Sequence, residues 1–587
     1  MFVKETTVRG GGRAYTYVQL VEGYRDERGK VRQRVVANLG RKEELKASGQ
    51  LEKLAGSFAR LDPPMLGTRR QVGALLLAGH FLGELDVAGT VDRALPRSER
   101  SELSVGEIVC ALVASRLCSP SPLYDIAGWA SGAAIRELLG IPPQLLNDDR
   151  LGRGLERFAV YAESVRGLLA ARAIERFGQD AGRLHVDLTT VRVAGAYENS
   201  ALAAKGWGSD RHVARQVRTL QAATGDGVSL YLRPDPGNCS ELALVGQSLE
   251  RLAAFAKPGM LMVCDSALGQ PKPLCEINRA GLSFIVPLKT STGFQERYLR
   301  EIGPGALAAI RHVAERERRL PAKLRTTYRG ALRGWELEDP ETGEQQHWRV
   351  AYIHSSEEHE QVAAARERAL QKAEEQLQRV RNGLGGRYYK TKTQIERRVG
   401  QIIAKNIQGL ITVTVKARAG KPTLAFKRDE QAIATAALTD GIYALATNLP
   451  GQLTAGKLLR LYKEQEVVER RHRDLKQTLK VRPIFLHNDD RIYALLSIVG
   501  IALLIFGLLE SQLRTALHAD SQHQDKRLAL LPEARLAKPT AANILAAFQG
   551  LDLTYTHRGI ELDPLTPTQQ QILDLLGIQP PWPQRDT

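Results

Sequence analysis

Residues 184–195 read LHVDLTTVRVAG, and QVRTLQAAT at 216–224 and GVSLYLRPDPG at 227–237 have the same character. All three runs are short, rich in β-branched residues and bounded by glycine and polar turns, which predicts three sequential strands. Four segments follow in turn: a helical run at 240–256, the apolar GMLMVCDSA at 259–267, a short helix at about 271–280 and the strand SFIVPLK at 283–289. This alternation predicts a mixed α/β sheet.

The segments on either side of this block have different patterns. Two alternating runs near the start, AYTYVQLVEGYR and KVRQRVVANLG, are separated by DERG and predict a β-hairpin. Residues 63–180 show helical periodicity. Further on, DGIYALATN at 440–448 predicts another sheet strand, and 454–482 predicts a long helix that ends before Pro483. The last ten residues, IQPPWPQRDT, are expected to be disordered.

Composition narrows the class of protein. Among 587 residues, 43% are hydrophobic and 25% charged, which excludes wholesale disorder, collagen-like repeats and a membrane bundle. The formal net charge of +17 favours a polyanionic partner such as nucleic acid, with an acidic membrane surface as the alternative. The apolar run 494–509 is shorter than the ~20 residues that span a bilayer, so we expect a buried core helix and no membrane partner.

The cysteines and the first residues bear on the cellular compartment. Five cysteines lie far apart, without the spacing of a zinc site, which indicates a reducing environment. The N-terminal MFVKETTVRGGGR carries charges where an export signal needs an apolar stretch. We therefore expect a cytoplasmic protein.

Two acids lie where a sheet would present them. Asp187 lies early in the first strand of the block, and Asp265 ends the apolar LMVCD run. Acids at strand ends can point into the crevice beside an open α/β sheet, where ligands bind. The alternative is that such an Asp is only a helix or turn cap.

A third acid, Glu469, belongs to a patterned helix. On a continuous helix at about 100° per residue, a polar stripe about 60° wide borders the buried face. The stripe consists of Tyr462, Gln465, Glu469 and Lys476. The alternative is a solvated helix face with charge pairs, for which Glu469 and Arg473 have the i,i+4 spacing.

These residues resemble a known family. The spacing of the stripe is similar to the Y-x2-R-x3-E-x6-K signature of DDE transposases in the insertion sequence (IS) 4 superfamily, with Gln465 in place of the arginine. Asp187 in LHVDLTT and Asp265 in VCDSALGQ resemble the first two acids of the triad. The order of elements resembles the group named after IS 1634, and the resemblance covers 184–516 best. It implies an RNase H-like catalytic core.

The resemblance also implies the chemistry of the site. Asp187, Asp265 and Glu469 would hold two Mg²⁺ ions, with Asp187 bridging them and Mn²⁺ able to substitute. Tyr462 and Lys476 would grip the phosphate of the scissile strand. The family arginine is thought to hold DNA phosphates, so its role is open for Gln465. We advance the hypothesis that Arg473 supplies the missing cation.

A strongly basic segment supports a DNA partner independently of the family. Between residues 379 and 428 lie thirteen Lys or Arg residues and one acid, a net of +12, and two tyrosines accompany them. The candidate DNA-binding residues here are Arg387, Lys390, Lys392, Arg397, Arg398, Lys405, Lys416 and Arg418. This composition is typical of a surface that follows phosphates. The alternative is a solubilising basic face.

We divide the chain into six parts on these grounds. They are a β-hairpin module (1–62), a helical domain that is either scaffold or DNA-binding (63–180), the first part of the catalytic core (181–289), a basic inserted α+β domain (290–439), the second part of the core with the glutamate helix (440–516), and a C-terminal helical region with the tail (517–587).

The expected function is metal-dependent cleavage and strand transfer at the terminal inverted repeats of an insertion sequence, cut-and-paste transposition. Double-stranded DNA would be the partner, bound by a homodimer, in the bacterial cytoplasm at the nucleoid, with no small-molecule substrate. Two alternatives remain open: a related endonuclease or resolvase without strand transfer, and a non-catalytic DNA-binding protein whose acids are structural.

Overall fold

The computed structural model describes most of the chain. The described residues are 2–10, 13–25, 31–48, 66–95, 102–208, 212–240, 243–244, 246–249, 252, 259–403, 407–418, 421–481, 484, 486–520 and 525–585. They form two compact units. The first comprises residues 1–178, 194–200 and 474–587, and the second comprises residues 179–193 and 201–473.

The first unit begins with a small antiparallel sheet. Its strands are β1 (Phe2–Gly10), β2 (Arg13–Arg25) and β3 (Val31–Arg41), in the order β1-β2-β3, and a short helix α1 (Lys42–Ala47) follows. The predicted hairpin is the β2–β3 pair, while β1 is an additional strand that pairs with β2 from Phe2 opposite Val21 to Gly10 opposite Arg13. The small β-rich module is confirmed, and it has one strand more than predicted.

Residues 66–177 are mainly helical, as predicted. After a short strand β4 (Arg69–Gln71) come α2 (Leu75–Glu84), α3 (Val87–Ala94), α4 (Val105–Cys118), α5 (Ile126–Gly132), α6 (Ile135–Leu139), α7 (Asp148–Ala159) and α8 (Ala162–Phe177). Helix α4 begins with a capping box between Ser104 and Glu107, and nearly all of its residues are buried.

The second unit is built on a ten-stranded mixed sheet. Its strands are β5 (Arg183–Arg192), β6 (Ala204–Trp207), β7 (Val213–Thr224), β8 (Ser229–Pro236), β9 (Leu261–Cys264), β10 (Ser283–Pro287), β11 (Ala308–Ile310), β12 (Tyr328–Glu338), β13 (Gln345–Ser355) and, after the insertion, a strand at Ile442–Thr447. Helix α9 (Pro271–Arg279) connects the neighbouring strands β9 and β10, and α10 (Phe294–Glu301) lies between β10 and β11 in the chain. The predicted strands are all present, and most of the helix predicted at 240–256 lies outside the described residues.

Strand order brings distant segments together. The order is β11-β12-β13, then Ile442–Thr447, then β10-β9-β5-β7-β6, with β8 on β7. Strand β9 pairs parallel with both β5 and β10. The structure therefore differs from the predicted insertion boundaries, because β11, β12 and β13 extend the sheet instead of standing apart. Their place depends on β13 pairing with Ile442–Thr447 about ninety residues later, which local patterns do not encode.

A separate lobe follows β13. It contains α11 (Ser356–Asn382), α12 (Lys392–Ile402), the hairpin β14 (Ile411–Arg418) and β15 (Lys421–Arg428), and α13 (Glu430–Ala437). The lobe has its own apolar core, in which Leu377, Ile395, Ile411 and Leu424 are buried. The sheet strand that comes next, Ile442–Thr447, is β16.

The glutamate region is two helices and not the single helix predicted for 454–482. Helix α14 (Ala455–Lys463) ends at a turn, α15 (Glu466–Arg473) follows, and a π-helical turn covers Asp474–Thr478. At the turn the backbone changes to i→i+3 hydrogen bonds, such as Val468 N to Gln465 O at 3.0 Å. The sequence carries no glycine or proline here, so it gave no sign of the break.

The C-terminal part of the first unit contains strands as well as helices. Its elements are α16 (Asp489–Ala519), β17 (Leu528–Leu531), β18 (Arg535–Ala537), α17 (Ala541–Ala547), β19 (Asp552–Thr556), β20 (Gly559–Leu562) and α18 (Pro567–Leu576). Strand β19 also pairs with β4, which closes a three-stranded sheet. The prediction of a disordered tail is wrong for residues up to 585, because Leu562 binds the carbonyl of Pro583 and the N–H of Arg585.

Helix α16 is the core of the first unit. By length and composition it is the one helix of the described residues that could cross a membrane, with a mean hydropathy of 2.7, but 94% of its apolar window is buried inside the protein. Its buried polar groups have partners in the same unit: Arg166 donates to Ser497, and Arg514 pairs with Glu510 at 2.5 Å. The buried core helix predicted from the sequence is confirmed.

Candidate active site

Asp187 and Asp265 occupy matching positions on neighbouring strands. In the parallel pair of β5 and β9, Val186 lies opposite Cys264, and each acid is the next residue of its chain. Neighbouring strands are about 4.8 Å apart, and paired positions face the same side of a sheet. Asp187 is largely buried, with 19% of its side chain exposed, whereas Asp265 is exposed and caps a short 3₁₀ turn through Ser266 N. The two carboxylates therefore lie side by side on one face.

Helix α15 brings a third polar group onto Asp187. The helix packs against β5, and His472 Nδ1 lies 3.4 Å from Asp187 Oδ2. Because Glu469 precedes His472 by three residues, the two side chains share one face of α15. Val468 and Arg471 are buried beneath the helix, and Arg471 Nε donates to the carbonyl of Gly227 at 2.5 Å. The glutamate is thus presented on the face that carries both aspartates, and it is exposed there.

The phenol of Tyr462 lies close enough to Asp187, Asp265 and Glu469 to be affected by their charges. Burial raises the pKa of Tyr462, and the neighbouring carboxylates of Asp265, Glu358, Glu469 and Asp187 raise it further. A phenol held protonated in this way donates a hydrogen bond and does not act as a base. Tyr462 is thus close enough to Asp187, Asp265 and Glu469 for each of these carboxylates to act on its pKa.

The chemical type of the side chains at this site suits a hard cation. The thiol of Cys264 adjoins both aspartates, but burial and the two carboxylates raise its pKa, so it stays protonated and is a poor metal ligand. Carboxylate oxygens are what Mg²⁺ and Mn²⁺ prefer. In the described part of the chain, no three His, Cys, Asp or Glu side chains lie close enough together to hold one metal ion. The acids share a face without forming a closed ligand cluster.

Comparison with known families identifies the chain. A family model described as the transposase DDE domain matches residues 178–505, more than half of the chain, and the model of the IS1634 family transposase N-terminal domain matches residues 3–63. The chain is a DDE transposase of the IS1634 family. Between these matches, residues 69–171 match a domain of unknown function, DUF4277. A search among curated proteins found no match. The family named from the signature residues is therefore confirmed.

The remaining signature positions of the transposase differ in exposure. Gln465, in the turn between α14 and α15, is 8% exposed, while Arg473 at the end of α15 is exposed. Lys476 is half-buried in the π-helical turn, within the first unit. The predicted polar stripe requires one continuous helix. The break before α15 and the π-helical turn after it interrupt that helix, so the four stripe residues no longer share one face. A buried Gln465 is poorly placed to replace a phosphate-binding arginine.

The basic lobe of the transposase exposes most of its predicted DNA-binding residues. The exposed ones are Arg387, Lys390, Lys392, Arg397, Arg398 and Lys416. Lys392 pairs with Glu396 at 3.6 Å, and Arg387 lies 5.8 Å from the ring centre of the exposed Tyr388. Lys405 lies outside the described residues, and Arg418 ends strand β14.

Two contacts, one in the site and one in the basic lobe, were not predicted from the sequence. His472 was not singled out, although its spacing of three from Glu469 on a helix is a usable signal. Arg428 was counted among the basic residues, yet it is bound inside the lobe by Glu367 and Glu374, at 2.9 and 2.8 Å. Its partners lie more than fifty residues earlier, so local sequence gave no sign of the pairing.

Proposed function

We propose that this transposase binds the terminal inverted repeats of its own element and catalyses strand cleavage and strand transfer in a cut-and-paste reaction. Its catalytic centre is the face of an RNase H-like sheet formed by Asp187, Asp265 and Glu469. The observation that carries the proposal is the convergence of these acids: matching positions on the parallel strands β5 and β9 for the aspartates, and a helix in contact with Asp187 through His472 for the glutamate.

The reaction requires an oxygen nucleophile, first water and then a DNA 3′-hydroxyl, that attacks a phosphate in line. Two divalent cations, when bound, stabilise the charge on the attacking and departing oxygens. Asp187, Asp265 and Glu469 would hold them, and Mg²⁺ or Mn²⁺ suits these donors. Because the carboxylates repel one another, they are expected to draw together only in the presence of cations.

The other residues of the centre bind the DNA strand. The protonated phenol of Tyr462 is suited to donate a hydrogen bond to a phosphate oxygen near the scissile bond. Arg473 is exposed and would attract the backbone in place of the missing signature arginine, and Lys476 follows as the last signature cation. No side chain needs to act as a nucleophile.

The partners follow from the reaction. Both transposon ends and the target are double-stranded DNA, and holding two ends calls for two copies of the protein, so a homodimer on DNA is expected. The exposed cations of the basic lobe support such a large anionic partner. We expect the protein to act in the bacterial cytoplasm, at the nucleoid.

The decisive experiment uses duplexes that carry the inverted repeats found at the ends of the element. Wild-type protein with Mg²⁺ should nick these duplexes and join their 3′ ends to a target plasmid, and chelation with EDTA should stop both steps. Glu469→Gln should bind the ends normally and cut nothing, while Glu466→Gln on the same helix serves as the matched control. A Glu469→Gln protein that still cuts would remove the triad; cutting without joined products would indicate a nuclease.

A further inference from the structure

The far end of the catalytic face carries a surface that the proposed chemistry does not use. Strand β6 pairs with β7 so that Lys205 lies opposite Arg215 and Trp207 opposite Val213. Along β7, Val213 and Arg215 alternate in phase with Gln221, which lies opposite Asp187 on β5. Strand residues two positions apart point to the same side of a sheet. Lys205, Trp207, Val213 and Arg215 therefore lie on the sheet face that carries Asp187.

This surface is unfavourable for an isolated fold. Trp207 is 60% exposed and its partner Val213 is 64% exposed, at adjacent cross-strand positions. Lys205 and Arg215 face each other with like charge, and within the described residues neither has a carboxylate at ion-pair distance. Directly opposed like charges destabilise a strand pair, and an exposed tryptophan contributes nothing to a core. Both features favour an external ligand.

The strand that presents Trp207 is held firmly. A Cβ at Gly206 would lie 2.0 Å from the carbonyl oxygen of Gly237, so the backbones meet at a distance that only glycine permits. The buried amide of Gln216 donates to the carbonyls of Trp207 and Gly237, at 3.2 and 3.1 Å. The exposed ring therefore stands on a fixed strand, which lowers the entropy cost of binding a ligand.

We infer that this surface, the Trp207 patch (Lys205, Trp207, Val213 and Arg215), is a second DNA contact on the catalytic face. Two cations would bind backbone phosphates, and the indole would pack on a base or deoxyribose, the combination used by proteins that track nucleic acid strands. The inference rests on the proposed function, because it requires DNA in the centre at Asp187.

The geometry fixes where on the DNA the contact falls. Val213, the strand partner of Trp207, is eight residues along β7 from Gln221, about 26 Å at ~3.3 Å per residue. At about 3.4 Å per base pair, this equals about eight base pairs from the scissile phosphate. The Trp207 patch should thus protect one site at that distance and none next to the cut.

The test is footprinting and binding on inverted-repeat duplexes. Trp207→Ala should lose the protection about eight base pairs from the cut and bind about ten-fold more weakly, the size of one lost stacking contact. Trp207→Phe should keep most of both, since it retains a flat ring, and it guards against a folding defect in the alanine variant. Leu536→Ala, which removes an exposed apolar side chain of β18, is the matched control.

Duplexes trimmed to fewer than about eight base pairs on the protected side should bind wild type and Trp207→Ala equally. An unchanged footprint and affinity in Trp207→Ala, with wild type that binds and cuts the ends, would overturn the Trp207 patch alone. A change in the mass of the DNA-free protein on Trp207→Ala would also overturn it, because the surface would then join protein copies. Wild type that fails to bind or cut the ends would instead refute the proposed function.

Discussion

His472 connects the helix of the third acid to the strand of the first. Its Nδ1 lies 3.4 Å from Asp187 Oδ2, and the imidazole is largely buried, so it has little freedom to move away. A ligand carboxylate fixed by a neighbouring side chain loses less entropy when it binds a cation. We therefore regard His472 as a positioning residue for Asp187.

Exchange of His472 for Ala should reduce end cleavage by about 10- to 100-fold at limiting Mg²⁺, the usual cost of losing such a neighbour. Excess Mg²⁺ should restore part of the rate, and DNA affinity should not change. The measurement is cleavage rate against Mg²⁺ concentration. His347→Ala is the matched control, since that side chain is 72% exposed on β13. An identical Mg²⁺ dependence in His472→Ala and wild type would contradict the positioning role.

His185 makes the second unit sensitive to acid. It is fully buried on β5, and burial, helped by Arg183, lowers its pKa from the ordinary 6.5 to about 4. The unfolded chain takes up this proton at a higher pH than the folded chain, so stability is complete above pH 6.5 and declines as the pH falls towards 4.

The contribution of His185 should be about 2 kcal/mol between pH 7 and pH 5. His185→Leu, which has no proton to gain, should show a shallower loss of unfolding free energy over this range. Denaturant titrations at the two pH values measure the difference. Equal losses in wild type and variant would show that another group carries the acid sensitivity.

At the scale of elements, the break between α14 and α15 determines which signature side chains reach the surface. The turn buries Gln465 and leaves Glu469 and Arg473 exposed on the next helix. In a continuous helix, Gln465 and Glu469 would have shared one face. The break therefore separates the buried Gln465 from the exposed face of α15.

If Arg473 replaces the signature arginine, Arg473→Ala should weaken end binding and lower the slope of log affinity against log salt by about one, the effect of one lost phosphate contact. Arg368→Ala, an exposed arginine on α11, should change neither value. Fluorescence anisotropy at several salt concentrations gives both numbers. An unaltered salt slope in Arg473→Ala would contradict the hypothesis that Arg473 replaces the signature arginine.

The hairpin β14–β15 divides its cations between two functions. Ile411 and Leu424 face the core of the lobe, while Lys416 and Lys427 point outward from the same hairpin. Arg428 instead binds Glu367 and Glu374, which lie on α11. Outward cations are available to DNA, and the paired arginine is committed to the lobe.

The double variant Lys416→Ala/Lys427→Ala should lower the salt slope of DNA binding by about two and leave the melting temperature nearly unchanged. Arg428→Ala should do the opposite, with a loss of about 1 kcal/mol in the stability of the lobe and little change in slope. Anisotropy and thermal melts of the same three proteins separate the effects. The reverse assignment would show that the outer face of the hairpin does not bind DNA.

At the scale of the whole molecule, local sequence patterns predicted the positions of the strands and helices better than they predicted which elements pair with one another. The strands around Asp187 and Asp265 were predicted because β-branched runs and turns are local signals. The membership of β11, β12 and β13 in the sheet was missed, because it depends on a pairing across the basic lobe. The pairing of the tail with Leu562 was missed for the same reason.

In the candidate site too, local patterns were predicted from the sequence and long-range contacts were not. The resemblance to the family motifs indicated Asp187, Asp265 and Glu469 as candidate acids, while the contact of His472 with Asp187 exists only after α15 packs on β5. The helix break at Gln465 has no glycine or proline to announce it. What the sequence could not supply was therefore the set of long-range contacts that orients each side chain.

Three carboxylates distant in the chain are proposed to share divalent cations on one sheet face. Crystals of the transposase bound to its inverted-repeat DNA, grown with Mn²⁺, would locate the ions through their anomalous scattering. We predict two peaks within bonding distance of carboxylate oxygens, with Asp187 touching both and with Asp265 and Glu469 each touching one. Peaks bound to other residues, or a Glu469 that approaches neither ion, would contradict the account.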